Sequence, residues 1–201
     1  MQVSAVKSLT LISSFYNVES VVKAVHKLSP SKIVLIVNVE EDDVCKKSIV
    51  KLKSIYGKVM AVEVVKVDIY DVVKTAETMA HLIISEHAQN RVVVNVTGGR
   101  KIAALGVLFG AYARSDLVEK IVYGNEDSTE LFTLPKMSFA LGKTKKAILK
   151  DLESGRRGIP QVAKRLGISE VMTYNHLKEL KADGFLNDDY TLTQAGQLAL
   201  I

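Results

Sequence analysis

The run Asn95-Val96-Thr97-Gly98-Gly99-Arg100-Lys101 places two hydrogen-bonding side chains, two adjacent glycines and two adjacent cations in one short stretch. Asn95 and Thr97 can donate and accept, and Gly98 and Gly99 let a backbone approach a ligand closely. A helix starting at Arg100 would aim its unpaired N–H groups and positive dipole end at the same point, which suits a phosphate, with Arg100 or Lys101 adding charge. The same run also fits a tight strand-to-helix turn that holds no ligand. A second candidate is Ser13-Ser14-Phe15-Tyr16-Asn17, where two hydroxyls and an amide adjoin rings able to stack on a base. Its alternative reading is a helix cap, with Ser14 or Asn17 serving the helix N-terminus. Neither run is a GxGxxG fingerprint or a GxxxxGK[ST] loop, which disfavours a simple NAD or ATP enzyme.

The elements that must position these residues follow from hydrophobic periodicity. Short β-branched runs predict strands at Val3–Ile12, Lys32–Val39, Val59–Val67, Arg91–Val96 and Lys120–Tyr123, with an edge strand at Glu130–Leu134. Amphipathic stretches between them predict helices at Val18–Leu28, Val44–Tyr56, Tyr70–His87 and Arg100–Ser115. This alternation is that of an α/β chain with a Rossmann-like, doubly wound, mainly parallel sheet. Both polar runs then follow strands, where ligands sit in open α/β sheets.

The pattern breaks at Pro135–Gly142, so residues 1–135 form the first predicted domain, 136–142 a linker and 143–201 a second domain. There, Thr144–Glu153 and Ile159–Leu166 read as helices, and Gly167 ends the second. Ser169 caps a third helix running to about Asp183. Phe185–Leu186, the turn Asn187–Asp189 and Tyr190–Leu192 predict a wing, and a last helix begins in Thr193–Ile201. The sum is a small winged helix-turn-helix. Ser169, Thr173, Tyr174, Asn175 and Lys178 are its candidate DNA contacts, with Glu170 also outward and Val171, Leu177 and Leu180 as core. Arg156 and Arg157, with Lys164 and Arg165, make a basic patch for phosphates. Asp188 and Asp189 in the wing and Glu170 at the helix start argue the other way, toward dimerisation or protein contact.

Composition is ordinary for a globular chain, at 48% hydrophobic and 24% charged. The net charge of +5 permits an anionic partner. Residues 1–139 hold 17 basic and 15 acidic side chains, and residues 140–201 hold 10 and 7, so positive charge is denser in the second part. A single cysteine, Cys45, excludes an intramolecular disulfide or a thiolate zinc site and reads as a spectator. The four histidines lack metal-ligand spacing, and His176 reads as a surface or packing residue. No apolar run is long enough to span a bilayer and no signal-peptide pattern opens the chain, so a reducing, cytoplasmic setting without membrane contact is expected. No metal or cofactor is expected.

On the Rossmann-like order, the polar loop after the first strand, the NVTGGRK run and the appended winged helix, the chain resembles the CARF family, the CRISPR-associated Rossmann-fold domains. The resemblance covers nearly the whole chain. It implies a homodimer whose two Rossmann-like domains share a two-fold symmetric pocket for a cyclic oligoadenylate, commonly the tetra-adenylate. By position, it implies that Thr97, Gly98, Gly99, Arg100 and Lys101 bind phosphate and ribose, with Ser13, Ser14 and Phe15 beside them. It further implies an antiviral-defence transcription regulator whose winged helix changes its affinity for double-stranded DNA when ligand binds. The alternative is a ring nuclease acting slowly in the same pocket through Lys101, Ser13 and Ser14; otherwise no catalytic residue is assigned. Related chains pair this sensor with a ribonuclease domain, but residues 140–201 contain one histidine, His176, and no Arg-xxxx-His spacing. A regulator outside CRISPR systems that senses another phosphorylated metabolite is a further reading.

Overall fold

A computed structural model of the chain describes residues 7–125, 129–137, 141–155 and 158–201. The chain divides into two compact units, Met1–Ser138 and Phe139–Ile201. In the first, strands β1 (Leu9–Ser14), β2 (Lys32–Asn38), β3 (Ala61–Val67), β4 (Arg91–Asn95), β5 (Lys120–Gly124) and β6 (Leu131–Leu134) form one six-stranded sheet in the order β3-β2-β1-β4-β5-β6. Every neighbouring pair is parallel except β5 with β6. Helices α1 (Glu19–Leu28), α2 (Asp43–Tyr56), α3 (Val72–His87) and α4 (Lys101–Ala113) connect them. Right-handed crossovers put α1 and α2 on one face, and α3 and α4 on the other. The expected doubly wound α/β architecture is therefore observed, and the strand order reverses between β1 and β4.

The central strands are buried on both faces, as their continuous apolar runs require: Ile33 through Val37 and Val92 through Val94 are almost fully excluded from solvent. Strand β1 departs from its expected limits. Residues 3–6 of the predicted strand lie outside the described residues, and the strand continues through Ser13 and Ser14, which the sequence placed in the following loop. Serine has little intrinsic strand preference, but here β1 is hydrogen-bonded on both sides, Ser13 lying opposite Leu35 and Asn95, and tertiary pairing overrides propensity.

Helix α4 is apolar on nearly every side. Ala103, Gly106, Val107, Gly110 and Ala111 are its buried face. Two of those positions bring α3 and α4 into close contact, since a Cβ on Gly106 would stand 2.7 Å from Thr75 Cγ2, and one on Gly110 would stand 2.6 Å from the Ala76 carbonyl oxygen. The second unit contains α5 (Lys143–Glu153), α6 (Ile159–Leu166), α7 (Glu170–Ala182) and α8 (Gln194–Leu198), with Leu186 and Leu192 joined by an antiparallel bridge. Ile148, Leu149, Leu152, Val162, Leu177, Leu180 and Leu186 form its core. Among the described residues no helix is long and apolar enough to cross a membrane.

Gly110→Ala tests whether the α3–α4 contact fixes α4. An ordinary helical Gly→Ala change gains about 1 kcal/mol of propensity. Forcing a methyl against backbone costs about 1–3 kcal/mol. The variant is therefore expected to melt below wild type in a thermal scan, and a higher melting temperature would show that α3 yields.

Candidate functional site

The site is built from the carboxyl ends of β1 and β4, at the point where the strand order reverses. Asn95 closes β4 and is fully buried. Its Nδ2 donates to Ser13 Oγ at 3.0 Å and to the Ser20 carbonyl at 3.0 Å. Its Oδ1 accepts the Thr97 N–H at 3.2 Å and the Thr97 hydroxyl at 2.5 Å. All four hydrogen bonds open to an amide are thus made inside the protein. Thr97 Oγ1 in turn accepts the Gly124 N–H at 2.7 Å, tying the loop to the end of β5. Ser14 Oγ donates to the Gly98 carbonyl at 2.6 Å, and Ser13 Oγ donates to the Ser14 carbonyl at 2.9 Å.

These contacts give several of the expected ligand groups partners within the protein. Asn95, Thr97, Ser13 and Ser14 form the frame of the loop, with their polar atoms bonded to protein. Ser13 and Ser14 are completely buried within β1, and Phe15 is 4% exposed. The glycines have separate reasons. A Cβ on Gly98 would collide with the Ser20 side chain and stand 2.8 Å from the Ser14 carbonyl oxygen, whereas Gly99 has φ +84°, a conformation that favours glycine.

Arg100 is the extended N-cap of α4, and no side chain caps that helix. The other helices of the unit differ. Asn17 Oδ1 accepts the Ser20 N–H at α1, so the capping reading of the Ser13–Asn17 run applies to Asn17. Asp42 serves α2 and Asp71 serves α3. Among the described residues, α4 is thus the helix of this unit whose first-turn N–H groups have no side-chain acceptor, and these groups sit beside the glycines.

Two clefts flank the loop, and Tyr16 lines both. A cleft of about 370 Å³ is lined by Thr97, Gly98 and Gly99, with Lys23 and Glu19 of α1 and Asn125 after β5. A smaller one of about 230 Å³ lies toward β2 and β3, lined by Phe15, Arg100, Tyr70 and the acidic run Glu40–Asp42. The NVTGGRK run is therefore split, and exposed Lys101, at the start of α4, lines neither cleft. Tyr16 donates to Asp42 Oδ2 at 3.0 Å. Asp42 is held below the usual carboxylate range, first by accepting the Cys45 N–H, against a smaller effect of burial, with Tyr16 and Arg100 also lowering it. Burial pushes the Cys45 thiol up to about 11, which keeps it protonated and unreactive. Tyr16 belongs to the run whose rings the sequence offered for stacking, whereas Lys23 and Asn125 were missed. The available signal for Lys23 was its place one turn into a helix that starts at the carboxyl edge of the sheet. Among the described residues, no cluster of three His, Cys, Asp or Glu side chains is placed to hold a metal ion.

In the second unit, α6 ends at Gly167 with φ +65°, and Ser169 Oγ accepts the Met172 N–H to start α7. Tyr174, Asn175 and Lys178 are exposed, as is Ser169. Two expectations exchange places. Thr173, expected to face DNA, is fully buried with its hydroxyl on the Ser169 carbonyl at 3.0 Å, and Val171, expected in the core, is 71% exposed. The helix phase explains this, because Thr173 falls with Leu177 and Leu180 at spacings of four and three residues, and Val171 falls opposite. Arg165 is held by Asp151 in two hydrogen bonds of 2.7 and 2.6 Å, which removes it from the basic patch. Arg156 and Arg157 lie outside the described residues.

A mainly parallel sheet wound in this order, with its polar loop at the reversal, defines a Rossmann-like domain. Csm6 from Enterococcus italicus, solved bound to cyclic hexa-2'-fluoro-hexa-dAMP, matches with a TM-score of 0.53 at 12% identity over 88% of this chain and 55% of its own. At that identity the likeness is one of fold. Can2 from Sulfobacillus thermosulfidooxidans, solved in complex with cyclic tetra-adenylate, gives a TM-score of 0.48 at 16% identity over 96% of this chain and 56% of its own. The chain thus spans little more than half the length of either. No curated protein matches the sequence. Residues 10–126, more than half of the chain, match the family model described as "HFX_2341_N:-like, N-terminal", and the chain belongs to that family.

Replacing Asn95 tests the frame. Each buried polar partner left unpaired costs about 1–3 kcal/mol. Asn95→Ala is expected to lose at least that much unfolding free energy, read as a lower urea midpoint. An unchanged midpoint would remove Asn95 from the frame.

Proposed function

We propose that the chain is a CRISPR-associated sensor that binds a cyclic oligoadenylate, with cyclic tetra-adenylate as the first choice, between the NVTGGRK loops of two copies. One observation carries this reading: the uncapped N-terminus of α4 opens beside Gly98 and Gly99 at the reversal of strand order. Such a terminus offers backbone donors to a phosphate, and a ring of repeated phosphates matches a pair of them related by a two-fold axis. The ligands present in the Csm6 and Can2 structures support the same class. Arg100, Lys101 and Lys23 are the cations for phosphate, and Tyr16 and Phe15 are the rings nearest the site. Asn95, Thr97, Ser13 and Ser14 act by positioning the loop. That favours binding over ring cleavage, since both serine hydroxyls already donate within the protein.

Dimerisation in this proposal uses the outward side of α4. At 3.6 residues per turn, Lys101, Leu105 and Leu108 lie opposite the buried Gly106–Gly110 side. Leu105 is 45% exposed there and offers an apolar side chain for a second copy to cover. Pairing there would bring the two Lys101 side chains and the two helix N-termini toward one axis. The second unit is proposed as a winged helix-turn-helix that responds to the ligand at double-stranded DNA. Such coupling requires that ligand bind the DNA-competent and incompetent states with different affinity.

Calorimetric titration of cyclic tetra-adenylate is expected to give saturable heat at one ring per two chains, with the ligand recovered intact. Lys101→Ala removes two charge-assisted hydrogen bonds from a ring held by two chains, each worth about 1.5–3 kcal/mol, and should weaken binding by at least about a hundredfold. No heat with the wild type would remove the ligand assignment, and linear product would replace the sensor by the nuclease. Separately, Leu105→Glu is expected to shift the molecular mass in light scattering from dimer to monomer. A monomeric wild type would exclude the shared pocket.

A further inference from the structure

The sequence assigns Ser169, Thr173, Tyr174, Asn175 and Lys178 as DNA contacts of α7 and its cap, and Thr173 is buried. The structure adds Val171 and Met172 to the exposed side. Val171 is 71% exposed, Tyr174 is 51% exposed, and Met172 beside them is 46% exposed. Residues 171, 174, 175 and 178 recur at the i, i+3, i+4, i+7 spacing of one helix face, and Thr173, Leu177 and Leu180 hold the opposite face in the core. Val171 and Tyr174 therefore lie over the first turns of α7, with an amide and a cation one turn on.

We infer that this stripe reads thymine methyl groups in the major groove of A·T-rich double-stranded DNA, through Val171 and Tyr174 alongside Asn175. This rests on the DNA-binding reading of the second unit. Each element of the stripe matches one feature of an A·T pair. The thymine C5-methyl is the apolar group exposed in the major groove, and a side-chain amide can bond the N6 and N7 edge of adenine. Lys178 supplies phosphate attraction that is blind to sequence. A G·C-rich groove offers Val171 no methyl, and its polar base edges would lose hydration against the valine without a hydrogen bond in return. Of the acidic side chains nearby, exposed Glu170 borders the stripe one turn before Tyr174 and opposes phosphate there, whereas Glu179 is paired with Lys145 at 3.1 Å. In the turn of the proposed wing, Asp188 meets Lys181 at 3.2 Å. Residues 140–201 as a whole carry an excess of three positive charges.

The test uses the full chain and three duplexes, poly(dA-dT), poly(dA-dU) and poly(dG-dC), in fluorescence anisotropy titrations at fixed salt. Uracil keeps every hydrogen-bonding group of thymine and lacks the methyl. Burial of one methyl is worth about a fourfold change in affinity. The thymine duplex is expected to bind at least fourfold more tightly than the uracil duplex, with G·C weakest. Val171→Ser, an exposed change that removes both γ-methyl groups, is expected to narrow the thymine-to-uracil ratio while leaving salt dependence intact. Equal affinity for the thymine and uracil duplexes would overturn the methyl reading and leave DNA binding standing. A ratio that Val171→Ser does not change would overturn it too, assigning the preference to duplex shape. Binding to none of the three would overturn both readings, and self-association that Val171→Ser abolishes would then make the stripe a contact between copies.

Discussion

A single buried amide organises the reversal point of this sheet. Asn95 joins β1 through Ser13, the first turn of α1 through the Ser20 carbonyl, and its own loop through Thr97. A polar side chain without solvent access is tolerated when all its donors and acceptors are matched, and an amide with four partners also has a fixed orientation. Thr97 extends that order to β5, and Ser14 extends it to the Gly98 carbonyl. The loop between β4 and α4 is short and glycine-containing, yet it is held from three directions. Gly98 must lack a side chain because the frame fills the space around it, and Gly99 must be glycine because the turn into α4 needs positive φ.

That frame explains why the site was only partly legible in the sequence. The fold was readable because strand and helix periods are properties of the local chain, and the central strands are apolar on both faces. The position of the site was readable because the glycine pair and the cations sit next to each other in sequence. The roles were not. Asn95, Thr97, Ser13 and Ser14 are as suited to a ligand as to each other, and only the pairing of β1 with β4 decides which partner they take. Tertiary pairing also drew Ser13 and Ser14 into a strand that local propensity would have ended. In α7 the difficulty was phase. Its apolar residues are spread around the helix, so the sequence offered no clean polar face, and Val171 and Thr173 were assigned to each other's sides.

Electrostatics around the loop are mixed, with Arg100 facing the cleft that carries Glu40–Asp42 and Lys23 on the other side. Exposed Arg100 contributes modestly and loses strength as salt rises, and half-buried Lys23 already donates to the Asn125 carbonyl. Backbone N–H groups at a helix start are fixed in place and need no reorganisation to meet an anion. The more durable attraction is therefore the one built into α4, and the side chains tune it.

Helix α4 meets three demands at once, and its composition follows from them. Its glycine side must let α3 approach, which excludes large residues at Gly106 and Gly110. Its first turn has no side-chain cap, and Arg100 stands at the N-cap, where aspartate or serine would be the stabilising choice; the proposed anion site would use the donors left over. Its outer side carries Leu105, so the usual polar face of a surface helix is missing. A helix free to optimise its own stability would have a polar cap and a charged outer face. The departures fall at the end that meets the loop and on the side that meets solvent. Both are explained together if another copy covers that side, because the same rigid rod would then set the distance between two anion-binding ends.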